Sequence, residues 1–301
     1  MDMPYDYTTV TMMDISYKNL DELPDLTQFT NLKILFCSGN KLKHIRNLPQ
    51  SLKNLFCTGN DIESFYNLPP GLEELCCGNN QIKSLDNLPP GLKQLSCNSN
   101  YITSLDNLPP GLQILSCSRN LITHLDNLPS NLDNLDCNEN QIESLDNLPN
   151  TLTILFCTMN KLTSLNNLPP NLSLLDCSNN KIIELDHLPI NLLKLFCEDN
   201  KITSLNKLPI NISKINCSNN QITQLTKLPI QIKKLYCEYN QITSVNLHSK
   251  LEKFMCDGNQ ITSFNNIPAS LVELSCDDNP LVYDFEPTLE NIRAYNASRI
   301  P

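Results

Sequence analysis

Asparagine recurs every twenty residues, at Asn40, Asn60, Asn80 and onward without a break to Asn240, and the series continues at Asn259 and Asn279. A period sustained over most of a 301-residue chain limits the fold to a stack of repeated units. One unit runs from Ile82 to Tyr101, with apolar residues at Ile82, Leu85, Leu88, Leu92, Leu95 and Cys97 and polar residues filling most of the gaps. Leu95 and Cys97 stand two apart, so they share one face of a short strand and point inward. Helix is excluded from the unit, because twenty residues containing Leu88-Pro89-Pro90 leave no room for three turns and proline would break them.

After the strand the chain must turn, and the side chain of Asn100 replaces backbone partners that the bend removes. Leu88-Pro89-Pro90 then favours an extended, polyproline-like return. No unit can bury its own apolar slots. Neighbours must therefore stack, with their strands in one parallel sheet. This reading makes Asn60, Asn80, Asn100, Asn120 and Asn140, together with Cys97, Cys117 and Cys137, a structural ladder.

Fourteen cysteines would suggest a disulfide framework in a small secreted domain. Their spacing argues otherwise. From Cys37 to Cys237 they recur once per period, followed by Cys256 and Cys276, as a packing position does. A line of one sulfur per strand inside an apolar core is not the converging set a metal requires, and a buried thiol behaves as a small hydrophobe. Only Cys76 falls outside the series. It occupies an outward slot of its strand and is the candidate exposed thiol, with no His or Lys beside it to lower its pKa. His44, His124, His187 and His248 share no register, and nothing resembles a phosphate loop or a nucleophile elbow, so no catalytic residues, metal or cofactor are assigned.

A net charge of −10 argues against binding to nucleic acid or an anionic membrane surface, and apolar runs of only a few residues cannot span a bilayer. Residues Met1 to Asp6 lack a basic and then apolar leader, which places the protein in a cytosol by expectation. The sequons at Asn171, Asn211 and Asn296 are accounted for by chance in a chain this rich in Asn.

The spacing Leu92-x-x-Leu95-x-Cys97-x-x-Asn100-x-Ile102, preceded by Leu88-Pro89, resembles the leucine-rich repeat in its short twenty-residue subclass. That subclass occurs in secreted effectors of bacterial pathogens, and similar Cys-bearing repeats occur in proteins of giant amoeba-infecting viruses of the mimivirus type. The resemblance covers roughly residues 10–285. Where the effectors usually carry a first proline, this chain carries Asp86, Asp106, Asp126 and Asp146. The resemblance implies a β-rich repeat solenoid: a curved parallel β-sheet with extended returns and little helix. It also implies protein binding. Some of the effectors carry a separate ubiquitin-ligase domain, for which this chain has no room, and the Asn-, Ile- and Lys-rich style favours the viral relatives.

The ends depart from the pattern as caps do. Val10, Met13, Ile15 and Leu20 fit the repeat, with Lys18 in the Asn slot. The expected organisation is a capping repeat over 1–31, repeats over 32–281 and a cap over 282–301. Between Asn240 and Asn259 the return has lost one residue and its proline, which predicts a local irregularity around Val245–Leu251. Leu289, Ile292 and Tyr295 share a face at helical spacing, which favours a short helix over a final strand as the last cap.

Specificity must lie in the slots that vary. Strand residues flanking the inward Leu and Cys line the inner, concave face. There the central row includes Phe156, Phe196, Tyr236 and Met255, the preceding row ends in Lys194, Lys214, Lys234 and Lys253, and the following row contains Glu198, Ser218, Glu238 and Asp257. Exposed aromatic residues bordered by charge have the composition of an interface. Four lysines on adjacent strands are not a stability choice unless acids offset them. The predicted function is a non-catalytic scaffold binding a partner protein on this face, such as a viral or pathogen factor acting on a host protein. The alternatives are a particle-associated structural component and an adaptor for a ubiquitin ligase. Partner identity and oligomeric state are not readable from the residues.

Overall fold

The structure, a computed structural model, describes residues 7–299; residues 1–6 and 300–301 of the two expected caps lie outside it. The chain forms two compact units, one from the residues up to 142 with 147–152, the other from 143–146 and the residues from 153 on. The first holds β1 (Met12–Asp14), β2 (Ile34–Phe36), β3 (Asn54–Phe56), β4 (Glu74–Cys76), β5 (Gln94–Ser96), β6 (Ile114–Ser116) and β7 (Asn134–Asp136). They pair in chain order, all parallel. The second holds β8 (Ile154–Phe156), β9 (Leu174–Asp176), β10 (Lys194–Phe196), β11 (Lys214–Asn216), β12 (Gln224–Leu225), β13 (Lys234–Tyr236), β14 (Ser244–Val245), β15 (Lys253–Met255), β16 (Glu273–Ser275) and the helix α1 (Leu289–Ser298). There β8, β9, β10, β11, β13, β15 and β16 form the parallel sheet, and β12 pairs with β14.

Register follows the period: Leu95 faces Leu115 and Leu195 faces Ile215, each advance being one twenty-residue turn. Apart from β12 and β14, each strand is three residues long because only its middle residue is inward. Leu55, Leu95, Leu155 and Leu195 are buried, and so is the Cys two positions on. Burying each Leu is worth roughly 1.5–3 kcal/mol, repeated once per slot per turn. In the second unit the thiols also donate across the stack, as Cys217 Sγ does to Tyr236 O at 3.3 Å.

The returns are extended, with two turns cut into them. Leu92 N donates to Pro89 O at 3.2 Å, closing a turn that places Pro90 where its fixed φ is wanted. The other turn sits at Asp86-Asn87, where Asn87 is left-handed with φ 64°. Asp86 accepts from Ser84 Oγ at 2.6 Å and from Asn107 Nδ2 of the next turn at 3.3 Å. The same bridge recurs from Asn127 to Asp106 and from Asn147 to Asp126. Aspartate in this slot thus links successive returns, which a proline cannot do.

The Asn ladder satisfies buried backbone groups of two turns at once. Asn100 Nδ2 donates to Cys97 O (3.0 Å) in its own turn and Cys77 O (3.1 Å) in the preceding one, while its Oδ1 accepts from Ile82 N (2.9 Å). Asn60, Asn80, Asn120 and Asn140 donate in the same way to the Cys carbonyls of their own and preceding turns. The residue before each ladder Asn is left-handed whatever its type: Ser99, Arg119, Glu139, Met159 and Tyr239 all have φ of 52–55°. At Gly39 a Cβ would stand 2.3 Å from the exposed Tyr17 ring, which would have to swing aside to admit a larger residue.

The shortened turn keeps its place in the sheet. Tyr236 still faces Met255, and the missing residue is absorbed in the return, where β14 pairs with β12. His248 sits in that return with Nε2 buried and, among the described residues, without a hydrogen-bond partner. The chain ends in helix: Thr288 caps α1 by accepting from Asn291 N, and Ile292 is fully buried. Arg293 and Asn296 donate to Leu271 O (2.7 Å) and Phe264 O (2.9 Å), covering carbonyls of the preceding turn that no further repeat would meet. No helix among the described residues is long and apolar enough to cross a membrane.

Candidate protein-binding face

In the second unit β10, β11, β13 and β15 present Phe196, Asn216, Tyr236 and Met255 in adjacent registers on the open face of the sheet, all half-buried. Asn216 is short and leaves a gap between the flanking rings. Lys214, two residues earlier on the same strand face, fills it, with Nζ 4.9 Å from the centre of the Phe196 ring and 5.6 Å from that of Tyr236. Lys253 Nζ lies 5.3 Å from the Tyr236 ring on the other side and pairs with Glu273 on β16. The bond to Glu273 holds the Lys253 ammonium above its ordinary pKa. Such cation–ring contacts are worth about 0.5–2 kcal/mol each, rising as water is removed, so a partner covering the face would strengthen them.

The four lysines are therefore not equivalent. Lys214 and Lys253 fold over rings, whereas Lys194 and Lys234 are exposed. Across the rings, at the ends of the strands, the charge reverses. Glu198 accepts from Asn216 Nδ2, Ser218 Oγ donates to Glu238 at 2.6 Å, and Ser275 Oγ donates to Asp257 at 2.7 Å. Burial, then the nearby Asp176, Asp199 and Glu238, raise the Glu198 pKa above the usual carboxylate value, with Lys214 opposing them. The face is thus graded along the strand direction, from ammonium through aromatic to carboxylate. Phe156 belongs to the same row but two strands away, with Asp176 between it and Phe196.

In the first unit Phe36 and Phe56 stack across β2 and β3, 4.7 Å apart, next to Cys76. Cys76 is half-buried and its thiol is pushed up to about 11, first by burial and then by Glu74, toward which Sγ points at 3.9 Å. At neutral pH such a thiol is almost wholly protonated, which makes it a slow nucleophile. Inside the core, burial pushes Cys97 up to about 12 and is the first cause raising Cys117 and Cys137, to which the charge of Asp136 adds. Among the described residues no three His, Cys, Asp or Glu side chains converge as metal ligands do. A cleft of about 510 Å³ lined by Asp21, Glu22, Lys41, Lys43, His44 and Arg46 mixes both signs of charge and holds no nucleophile beside a base.

The sequence located the rows but missed the sandwiching of Lys214 and the pairing of Lys253 with Glu273. The signal available was the short Asn216 between two ring-bearing strands.

A parallel sheet of one short strand per turn, backed by an Asn ladder and extended returns, is the leucine-rich repeat fold, here with repeats of about twenty residues. The family model for leucine-rich repeats (2 copies) matches residues 70–110. Among solved structures, YopM from Yersinia enterocolitica WA-314 is similar, with 33% identity and a TM-score of 0.77 over 91% of this chain and 66% of that one. YopM from Yersinia pestis, a leucine-rich effector protein, is similar at 28% identity and a TM-score of 0.79, over 93% of this chain and 87% of that one. The functional domain of InlJ from Listeria monocytogenes, which includes a cysteine ladder, is similar at 26% identity and a TM-score of 0.78, over 92% of this chain. The chain spans just under two thirds of the length of the first YopM chain and 65% of the InlJ one. No curated protein sequence matches it significantly.

Proposed function

We propose that the protein is a non-catalytic binding scaffold whose open sheet face in the second unit, centred on Phe196, Lys214 and Tyr236, docks a partner protein. The observation that carries this is the ammonium between two half-exposed rings. It is an anchor that gains strength when covered, bordered by a polar rim of opposite sign. Similarity to the Yersinia effector supports a pathogen factor acting on a host protein. A source among giant viruses and a site of action in the host cytosol are parts of the same proposal.

The test is quantitative affinity purification from the expressing cells with the wild type, with Phe196→Ala/Lys214→Ala/Tyr236→Ala, and with a control triple on the first unit's sheet face. A co-purifying protein lost with the first triple and kept with the control is expected. An unchanged set of captured proteins with a folded triple variant would overturn the assignment.

A further inference from the structure

Three consecutive turns carry the same local sequence, proline-isoleucine followed four residues later by lysine: Pro189-Ile190 with Lys194, Pro209-Ile210 with Lys214, Pro229-Ile230 with Lys234. In the seven preceding turns the isoleucine slot holds Gln50, a proline, Ser130 or Asn150. The apolar ladder therefore begins and ends with these three lysine-bearing turns.

Ile190, Ile210 and Ile230 are 57%, 60% and 41% exposed, and Leu193 beside them is 45% exposed. No folding role explains three isoleucines held in water at a turn that elsewhere takes proline or a polar residue. Their spacing is fixed by the backbone. Asn191 Nδ2 donates to Pro170 O, Asn211 Nδ2 to Ile190 O, and Ser213 N and Lys233 N to Leu193 O and Ser213 O. Adjacent knobs thus stand about 4.8 Å apart and the three span about 10 Å.

From these features we infer that the edge formed by Ile190, Ile210 and Ile230 with Lys194 and Lys234 binds an acidic amphipathic α-helix of a partner protein. Two turns of helix rise about 10.8 Å, so an apolar stripe running along the ladder stays in step with it to within about 1 Å. An extended strand repeats its side chains every ~6.8 Å on one side and falls out of step at once. Charge selects the sign. Residues 190–234 contain seven lysines and two acids within a chain of net charge −10; Lys207 and Lys233 pair with Asp186 and Glu252 outside that stretch, while Lys194 and Lys234 are exposed four residues on from Ile190 and Ile230. A second copy docking through this edge would oppose lysine to lysine. Glutamates flanking the apolar stripe meet those ammoniums instead, as helix-in-groove recognition arranges them. The inference rests on the second unit being a protein-binding surface and names the partner's chemistry; its residues are distinct from the ring cluster.

The probe is a labelled helical peptide of about four turns, with leucines at i, i+4, i+7 and i+11 and glutamates flanking them. It is compared with a scrambled peptide and with one carrying lysine for glutamate, by fluorescence anisotropy. Binding of the first peptide alone, weakened by salt and reduced about tenfold or more by Ile190→Gln/Ile210→Gln/Ile230→Gln, is the expected result. Unfolding is not at issue for three exposed side chains, and an unchanged circular dichroism melt verifies this. Equal binding of the scrambled peptide, no binding to the wild type, or binding of the isoleucine triple to within twofold overturns the inference. So does loss, in the triple, of adhesion to phosphatidylserine vesicles with the peptide unbound, which makes the edge a lipid contact. Partner capture that still depends on Phe196 and Tyr236 while the peptide fails removes the edge site alone; capture indifferent to the rings removes the face instead.

Discussion

Replacing Asn100 with alanine tests whether the ladder holds the stack together. Ile82 N–H has Asn100 Oδ1 as its acceptor and is buried, so its orphaning costs about 1–3 kcal/mol. The carbonyls suffer less. Cys77 O keeps Asn80 Nδ2 at 3.0 Å and Cys97 O keeps Asn120 Nδ2 at 3.1 Å, so each lost bond there costs roughly 0.5–1 kcal/mol. The expected total is about 2–5 kcal/mol, a large part of the roughly 5–15 kcal/mol by which a domain is stable. Urea unfolding followed by circular dichroism measures it, and hydrogen exchange at the Ile82 amide locates it. Asn100→Asp separates acceptor from donor. The carboxylate still accepts from Ile82 N–H but sets a negative charge where the amide donated to two carbonyls. Its folded pKa must rise above the unfolded value of about 3.9. The deficit is then full above the folded pKa and shrinks as pH falls through it, because the protonated acid donates again. A loss below about 1 kcal/mol for the alanine variant, or an Ile82 amide as protected as in the wild type, would refute the account.

Met159 is left-handed at φ 55° and exposed, so Met159→Gly should raise the urea midpoint by about 0.5–1 kcal/mol of stability, the relief of strain less glycine's entropy; an unchanged or lower midpoint contradicts imposed strain. Of the fourteen cysteines only Cys76 should react with a thiol reagent in the folded protein, slowly and about tenfold faster per pH unit between about pH 7 and pH 9, since its pKa is about 11. A plateau near neutrality, or several reacting thiols, contradicts this. His248 has a pKa lowered first by burial and then by Lys250. The unfolded chain therefore takes up the proton first, and stability falls as pH drops below the ordinary histidine value of 6.5. His248→Leu should remove that part of the acid sensitivity in melts recorded across this range.

The strands were legible because alternation around Leu95 and Cys97 has one geometric solution at a twenty-residue period. The role of Asn100 was half legible: it bonds backbone in the turn, but its reach to Cys77 and Ile82 exists only once turns are stacked. The left-handed residue before it left no trace. Ser99, Arg119, Glu139, Met159 and Tyr239 share no chemistry, and their conformation is imposed by backbone bonds such as Ser99 N to Ser118 O. The lysine row read as four equal charges, because side-chain direction depends on neighbours the pattern does not weigh, the gap at Asn216 and the carboxylate of Glu273. The isoleucine edge was visible in sequence, yet only its exposure separates it from the many buried isoleucines.

Each ladder Asn serves the turn behind it, and this gives the stack a direction. Asn40 accepts from Lys18 N and Leu20 N, so the first turn needs no asparagine of its own. At the other end Asn279 is the acceptor for Ile261 N. Within the ladder, cutting turns from the front frees an amide side chain, which can rotate into water, although strand donors such as Lys33 N also lose their acceptor, Thr11 O. Cutting them from the back strands a main-chain N–H that cannot. In the ladder, though not in the sheet, the two ends are unequal in the way the ends of a filament are.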